Sequence, residues 1–266
     1  MARYARCRYR RETLDELCRK GRAELDRRAP RLRARGVVAG ARLLEIGSYS
    51  GAFLQFAHDA GCRVTGIDVN ADIVAHCEAR GLEIRCEAFD PDHFEVGEFD
   101  GVWILNCFEQ LSDHTRVLEG AARVLRPNGT LVIRTPNADF VRLLYAPRGG
   151  AILGSIGKAN ALLGVPFAKC FSAGALTRAI EEHGMAVEQV EGQEFSSIAP
   201  VRRALWWTVA RALRVAAYRV GSLAARRPLY PWLEVTARRT ARSPTSLVGS
   251  RSKSRVRRPV DGMPGR

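Results

Sequence analysis

Between residues 41 and 193, short apolar runs alternate with amphipathic helical patterns, and this alternation constrains the fold more than any other feature. Strand-like runs occupy 41–47, 62–69, 82–88, 99–106, 129–136 and 185–193, and helical patterns fill 51–61, 71–81, 114–129 and 172–184. Because parallel strands need crossover helices, this order predicts an α/β fold with a doubly wound, mostly parallel sheet and helices on both faces. A last strand is expected at 233–239, after a long helical insertion.

Charge divides the chain into an acidic body with two basic ends. Lys and Arg exceed Asp and Glu by 8 over residues 1–36 and by 14 over residues 196–266, whereas acidic residues are in excess by 8 in between. The pattern predicts a basic N-terminal helical extension over 1–36, one α/β domain over 37–240, and a basic tail over 241–266. The tail is expected to be disordered, since its Ser, Pro, Gly and Arg leave little to bury.

Several classes of protein are disfavoured by composition. No run approaches the ~18 apolar residues of a membrane-spanning helix, and no apolar segment follows the basic N-terminus, so we expect a cytoplasmic protein. The seven cysteines are scattered without a C-x-x-C pair. This spacing favours reduced thiols over a disulfide framework or a zinc site, and no metal is expected. The acidic body argues against a nucleic-acid partner.

The stretch LLEIGSYSG, residues 43–51, ends a buried strand on Glu45 and enters a loop that contains Gly47 and Gly51. Glycines let backbone amides approach a ligand, and the following helix offers its positive end. Asp68 ends the second strand, where a carboxylate can accept both hydroxyls of a ribose. The alternative is a tight strand-to-helix turn without a ligand, but the pairing with Asp68 favours a nucleoside.

The loop also indicates which nucleoside it would bind. The G-x-G-x-x-G fingerprint of dinucleotide sites is absent, because the loop reads Gly-Ser-Tyr-Ser-Gly over residues 47–51. Glu45 would repel a pyrophosphate, whereas a carboxylate tolerates an ammonium or a sulfonium. The predicted cofactor is therefore S-adenosyl-L-methionine, which is cationic at both ends of its methionine part.

Five blocks of the sequence resemble the class I S-adenosylmethionine-dependent methyltransferases, above all the small-molecule branch with quinone-pathway and natural-product enzymes. They are LLEIGSYSG, VTGIDVN, FDGVWILNCFEQLSDH, RVLRPNGTLVIRTPN and CFSAGALTRAIEEHGMAVEQVEG, in family order over about residues 41–193. The resemblance implies a seven-stranded sheet with an antiparallel last strand, which the run at 233–239 fits. It also implies methyl transfer to a small-molecule acceptor.

By position, the resemblance further implies the cofactor contacts. They are Glu45, Gly47, Ser48 and Gly51 at the methionine end, Asp68 at the ribose, Val69 and Asn70 beside the adenosine, Ala88, Phe89 and Asp90 at the adenine, and Asn106 near the transferring methyl. Phe89 and Asp90 could equally be ordinary turn residues.

The sequence departs from the family where substrate chemistry is expected. The family commonly has Glu-His after the fourth strand, but this chain has Glu109 followed by Gln110, which can only orient a group by hydrogen bonds. The region before the late helix reads PFAKCFS and lacks the histidine of many relatives. His114 remains as a candidate base, with a simple helix-start role as the alternative. These departures keep open a protein that binds the cofactor without catalysis and acts as a partner or regulator.

Two variable regions bear on partners. Residues 137–171 are expected to form an acceptor pocket or lid, or else two short core helices. Within the helical insertion at 197–228, residues 200–227 place an apolar stripe opposite arginines; the stripe contains Leu205, Trp206, Val209, Leu213, Ala216, Val220 and Leu223. Such a helix suits peripheral contact with a membrane, but it would also suit a helix that covers the pocket or sheet or pairs with a second subunit. The acceptor and the oligomeric state are not specified by the sequence.

Overall fold

The structure, a computed structural model, describes residues 13–145, 169–193, 216, 219–223 and 228–241. Seven strands are present in these ranges: β1 Arg42–Ile46, β2 Arg63–Asp68, β3 Ile84–Cys86, β4 Phe99–Leu105, β5 Leu125–Pro136, β6 Met185–Gln193 and β7 Trp232–Arg239. The main helices are α1 Leu14–Arg27, α2 Ala29–Ala34, α3 Ala52–Asp59, α4 Ala71–Glu78, α5 His114–Val124, α6 Ala138–Tyr145 and α7 Ala173–Glu182. Two 3-10 turns, Pro91–His93 and Phe108–Gln110, follow β3 and β4.

All seven strands form one sheet in the order β3-β2-β1-β4-β5-β7-β6. Strands β1 to β5 pair in parallel, and β7 is antiparallel to both β5 and β6. This arrangement confirms the predicted doubly wound α/β sheet and its antiparallel last strand. The chain reverses its direction of winding between β1 and β4, and in such sheets ligands bind beyond the carboxyl ends of the strands at this point.

The central strands are buried on both faces because helices cover both sides of the sheet. Neighbouring residues of β1 belong to different core clusters: Leu43 packs on one side, and Leu44 packs on the other. In β4, Trp103 is fully buried on the side of Leu43 and lies 4.8 Å from the Phe53 ring of α3, measured between centroids. This two-sided core fixes the strand ends that carry the candidate site.

The helix expected over 114–129 ends early. It stops at Val124, and β5 begins at Leu125, which pairs with Phe99. The physical reason is Pro127, since the residue before a proline is driven out of the helical conformation. Strand β3 is also shorter than the predicted run at 82–88.

The described part of the predicted N-terminal extension is helical and packs closely on the rest of the molecule. Thr13 and Glu16 form a capping box at the start of α1. A methyl group on Gly21 would come 2.8 Å from the Cβ of Ala52, so α1 lies directly against the start of α3. This contact places α1 behind the loop that follows β1.

Parts of the variable regions lie outside the described residues: 146–168, most of 197–228, and 242–266. Of the helical insertion, residues 216 and 219–223 are described and are helical. There Ala216 is exposed, as are Val220 at 66% and Leu223 at 79%, so this end of the apolar stripe does not cover the sheet. No helix within the described ranges combines the length and apolar character needed to cross a bilayer.

Candidate functional site

The loop after β1 makes an unusually close approach to the loop after β4. Gly47 has a φ of 79°, and a side chain on it would place its Cβ 2.4 Å from the Sγ of Cys107. Its amide donates to the carbonyl of Ile67 at 2.8 Å, which fixes the loop to the end of β2. Gly51, with a φ of 71°, precedes α3, and a Cβ there would meet the Sγ of Cys77 at 2.6 Å. Only glycine fits these two positions.

Asp68 connects the loops after β1 and β2. Its Oδ2 accepts a hydrogen bond from the Tyr49 amide at 3.0 Å, and its Oδ1 accepts from the Asn70 amide at 2.9 Å. Each carboxylate oxygen can accept a further hydrogen bond, so both remain able to receive ligand hydroxyls. Burial raises the pKa of Asp68, and the backbone donors oppose this shift. Asp68 thus lies beside the glycine loop, where a ribose contact was predicted.

Glu45 is the most unusual group of the site. Its side chain is 3% exposed, and its Oε2 has no hydrogen-bond partner in the described part of the chain. The Oγ of buried Ser48 also makes no hydrogen bond of good geometry in the described part of the chain, although it lies close enough to Glu45 to act on its carboxyl. Burial raises the pKa of Glu45 well above its usual range, the nearby Ser48 hydroxyl opposes this shift, and the negative charge of Asp68 adds to it. A ligand that brings N–H donors or positive charge would satisfy both oxygens.

Three of the predicted adenosine contacts, Val69, Asn70 and Ala88, follow β2 and β3 and keep accessible surface. Val69 is 55% exposed at the end of β2, which leaves an apolar surface for a flat ring, and Asn70 caps α4 through the Asp72 amide at 3.0 Å. Ala88 is exposed as well.

Phe89 and Asp90 have structural contacts of their own. The Phe89 ring packs beside Gly120, where a Cβ would approach it to 2.8 Å. Asp90 accepts from the Asp92 amide at 3.2 Å and from Arg116 at 3.2 Å. The alternative interpretation as turn residues therefore has support from these contacts, while the adenine role stays a prediction.

Residues after β4 form a wall against the glycine loop, because the side chain of Cys107 meets Gly47. Asn106 is exposed and has a φ of 59°. The Nε2 of Gln110 donates to the backbone carbonyl of Asn106 at 3.5 Å, the outer limit of a hydrogen bond. Glu109, which was not predicted as a site residue, is 1% exposed and accepts from the Thr135 hydroxyl at 3.3 Å. Burial raises the pKa of Glu109. Its position beside Gln110 in the sequence was the available signal.

Cys107 was also missed. Its thiol donates to the Ile46 carbonyl at 3.0 Å and forms the contact with Gly47 described above. Burial raises the pKa of this thiol well above its usual range, so the group is a packing residue of the wall and not a thiolate.

His114 is engaged at both ring nitrogens. Its Nε2 lies 2.8 Å from the carbonyl of Phe108, which can only accept, so Nε2 carries the proton. The Nδ1 lone pair then accepts from the Nζ of Lys169 at 3.1 Å. The rings of Phe108 and Phe171 pack edge-on to the imidazole at 4.7 and 5.0 Å. Burial lowers the pKa of His114; the hydrogen bond to Phe108 and the charge of Asp113 oppose this shift, and the Lys169 charge adds to it. The role of His114 as a base stays a prediction. Its Nδ1 could accept a proton only after the hydrogen bond from Lys169 is broken.

In sequence and in structure, the chain is similar to known methyltransferases. A family model described as "Methyltransferase domain" matches residues 3–190. The ubiquinone biosynthesis O-methyltransferase of Xanthomonas oryzae pv. oryzae is 31% identical over 111 residues, which cover 39% of this chain and 46% of that enzyme. The glycine/sarcosine/dimethylglycine N-methyltransferase of Actinopolyspora halophila is 32% identical over 110 residues, or 37% of this chain and 19% of that enzyme.

Among solved structures, an S-adenosylmethionine-dependent methyltransferase from Mesorhizobium loti superposes with a TM-score of 0.52 at 22% identity. The match covers 80% of this chain and 97% of that one, and it concerns the fold alone. The chain spans about half the length of the first curated relatives that it matches, 46% to 54%.

Proposed function

Because the chain belongs to the class I S-adenosylmethionine-dependent methyltransferase family, we propose that it transfers a methyl group from S-adenosylmethionine to a small-molecule acceptor. The observation that carries this proposal is the unpartnered, buried Oε2 of Glu45, which lies next to the glycine loop and to Asp68. Two buried or half-buried carboxyls at this edge suit a cationic adenosyl amino acid. A diphosphate would bring further negative charge beside Asp68 and would supply no cation for Glu45.

The described residues suggest how the cofactor is held. Glu45 and Ser48 offer unsatisfied acceptors to the methionine ammonium, Asp68 offers its remaining lone pairs to the ribose hydroxyls, and exposed Val69 offers an apolar surface to the adenine. When bound, S-adenosylmethionine supplies an electrophilic methyl group on a positively charged sulfur. The contribution of the chain is to hold cofactor and acceptor in line, and such positioning can lower a barrier by on the order of 7–11 kcal/mol.

The acceptor side indicates a nucleophile that needs little help from a base. In the described part of the chain, Gln110 cannot take a proton, the His114 lone pair receives Lys169, and Glu109 is buried against Thr135. We therefore propose an acceptor that reacts as an ionised oxygen or as a neutral amine. The curated relatives include an O-methyltransferase and an N-methyltransferase by name.

A methyl-transfer assay tests this function. The purified protein is incubated with S-adenosylmethionine labelled on its methyl group and a panel of phenolic, amine, sugar and lipid acceptors, and labelled product is counted. Transfer to one class is the expected result. Cofactor binding without transfer to any acceptor would favour the alternative of a non-catalytic cofactor-binding partner.

We further propose that the helical insertion contacts the anionic surface of a membrane from the cytoplasmic side. The support is the exposure of Ala216, Val220 and Leu223 on one stripe, together with exposed Arg219 and the basic excess of residues 196–266. Apolar residues beside arginines are the pattern that interfacial helices use.

A further inference from the structure

Lys169 is an exposed cation that forms no ion pair with a carboxylate within the described ranges, although Asp113 lies near its partner His114. Its Nζ donates to the Nδ1 of His114 at 3.1 Å and to the carbonyl of Ser112 at 3.4 Å. Among the described residues these are the partners of the ammonium, and both are neutral. Since an ammonium has three N–H donors, one donor is left for another group.

His114 holds Lys169 in place. The imidazole is itself fixed by the carbonyl of Phe108 at 2.8 Å and by the edges of the Phe108 and Phe171 rings. With Nε2 donating, the neutral ring presents its lone pair to the ammonium. A protonated ring would place two cations 3.1 Å apart, so this arrangement keeps His114 neutral.

The position of the pair relates it to the candidate cofactor site. Phe108 follows Cys107, whose sulfur lies against Gly47 in the loop after β1. The acidic groups of the site, Glu45 and Asp68, are at the ends of β1 and β2, whereas Lys169 lies beyond the end of β4. We call Glu45 and Asp68 the acidic side of this sheet edge, and Lys169, beside the segment that follows β4, its cationic side.

We propose that Lys169, positioned by His114, binds an anionic oxygen of the acceptor, such as a carboxylate, a phosphate or an ionised phenol. The proposal rests on the proposed methyl transfer and names the class of acceptor. The acidic side takes the cationic cofactor, and the free donor of Lys169 makes a charge-assisted hydrogen bond to the acceptor. Lys169 is the recognition residue, and His114 is a positioning residue.

Binding of matched probes tests the proposal. Benzoate, phenyl phosphate and 4-nitrophenolate represent the three anions, and benzamide is the neutral counterpart of benzoate. Their affinities are measured by calorimetry with and without S-adenosylhomocysteine, and the imidazole ¹H–¹⁵N signals of His114 are followed by NMR. We expect at least one anion to bind at least about tenfold more tightly than benzamide and to shift the His114 signals.

Three variants complete the experiment. Lys169→Met is expected to abolish the preference for anions, whereas Lys20→Met, a matched loss of one lysine on α1, should retain it. His114→Phe keeps an aromatic ring but removes the acceptor for Lys169, so it should weaken benzoate binding and leave benzamide unchanged. A purely structural role of His114 would change both probes equally.

The proposal would be overturned if wild-type protein bound all three anions no better than benzamide, or if Lys169→Met kept the preference. The affinity for S-adenosylhomocysteine is measured on the same samples. In the variants it shows whether the protein is folded, and in wild-type protein it tests the proposed function. If wild-type protein did not bind S-adenosylhomocysteine, the proposed methyl transfer would be contradicted. The preference for anions would still decide the role of Lys169 in that case.

Discussion

At the scale of single residues, the site depends on carboxyl groups placed at the ends of adjacent strands. Asp68 already accepts two backbone amides, and Glu45 is buried with one oxygen unsatisfied in the described chain. Burying such groups costs free energy unless a partner compensates, so their presence together is an argument for a ligand.

Replacing Asp68 by alanine should weaken cofactor binding at least about 100-fold, because two hydrogen bonds to a charged acceptor are lost at ~1.5–3 kcal/mol each. Calorimetric titration with S-adenosylhomocysteine measures this change. Asp26→Ala, on exposed α1 surface, is the matched control and should bind as wild type does. An Asp68→Ala variant with wild-type affinity would refute the placement of the ribose.

Binding of the cationic cofactor should release a proton from Glu45. Because the pKa of Glu45 is raised well above its usual value of 4.5, the carboxyl of the free protein stays protonated at pH values where an exposed glutamate is ionised. A bound cation lowers that pKa again. Affinity should therefore increase as pH rises through the raised pKa. Calorimetry in buffers of different ionisation enthalpy counts the protons, and Glu45→Gln should release fewer. An identical proton count in both proteins would contradict this prediction.

At the scale of elements, a buried ion network fastens the N-terminal helices to the sheet. Glu234 of β7 is 1% exposed and accepts from both Arg28 and Arg35. Arg35 also donates to Glu191 of β6 at 2.9 Å, so α2 is joined to both strands of the terminal hairpin. Burial would raise the pKa of Glu234, but Arg28, Arg134 and Arg35 lower it by more, so the carboxylate stays ionised.

Removing Glu234 should be strongly destabilising. Glu234→Ala leaves buried guanidinium groups unpaired, and we expect the free energy of unfolding in urea to fall by about 3–5 kcal/mol at pH 7. Glu188→Ala breaks a half-exposed pair with Arg238 on the same hairpin and should cost less than about 1 kcal/mol.

The pH dependence has a defined sign. Because the pKa of Glu234 is lowered on folding, its contribution is present above about 4.5 and is lost as the pH falls through the folded value. Equal stability of Glu234→Ala and Glu188→Ala would contradict this account.

The elements also show how much the sequence could predict. Strand and helix order followed from apolar periodicity, and the glycine spacing with Glu45 and Asp68 predicted residues that the structure brings together at one edge of the sheet. The contact of Gly47 with Cys107 and the coupling of Lys169 to His114 join residues about 55 to 60 positions apart. Such pairings depend on tertiary packing, and no local pattern encodes them. The end of α5 was mispredicted because the helical periodicity outweighed the signal of Pro127.

At the scale of the whole molecule, the charge is arranged so that an acidic body lies between basic ends. If the helical insertion contacts a membrane, the full chain should sediment with anionic liposomes but not with neutral ones, and salt should weaken binding. Val220→Ser with Leu223→Ser changes two exposed side chains, so folding should be preserved while sedimentation falls. Equal pelleting of variant and wild type would contradict the proposal, and a change in oligomeric state instead would favour pairing with a second subunit.

The central claim concerns which nucleoside the carboxyl edge of the sheet accepts. Titration calorimetry of the full-length wild-type protein with S-adenosylmethionine, S-adenosylhomocysteine and NAD⁺ tests it most directly. We predict saturable binding of the two adenosyl amino acids and none of NAD⁺. Uptake of the dinucleotide, with no response to either adenosyl compound, would contradict the account.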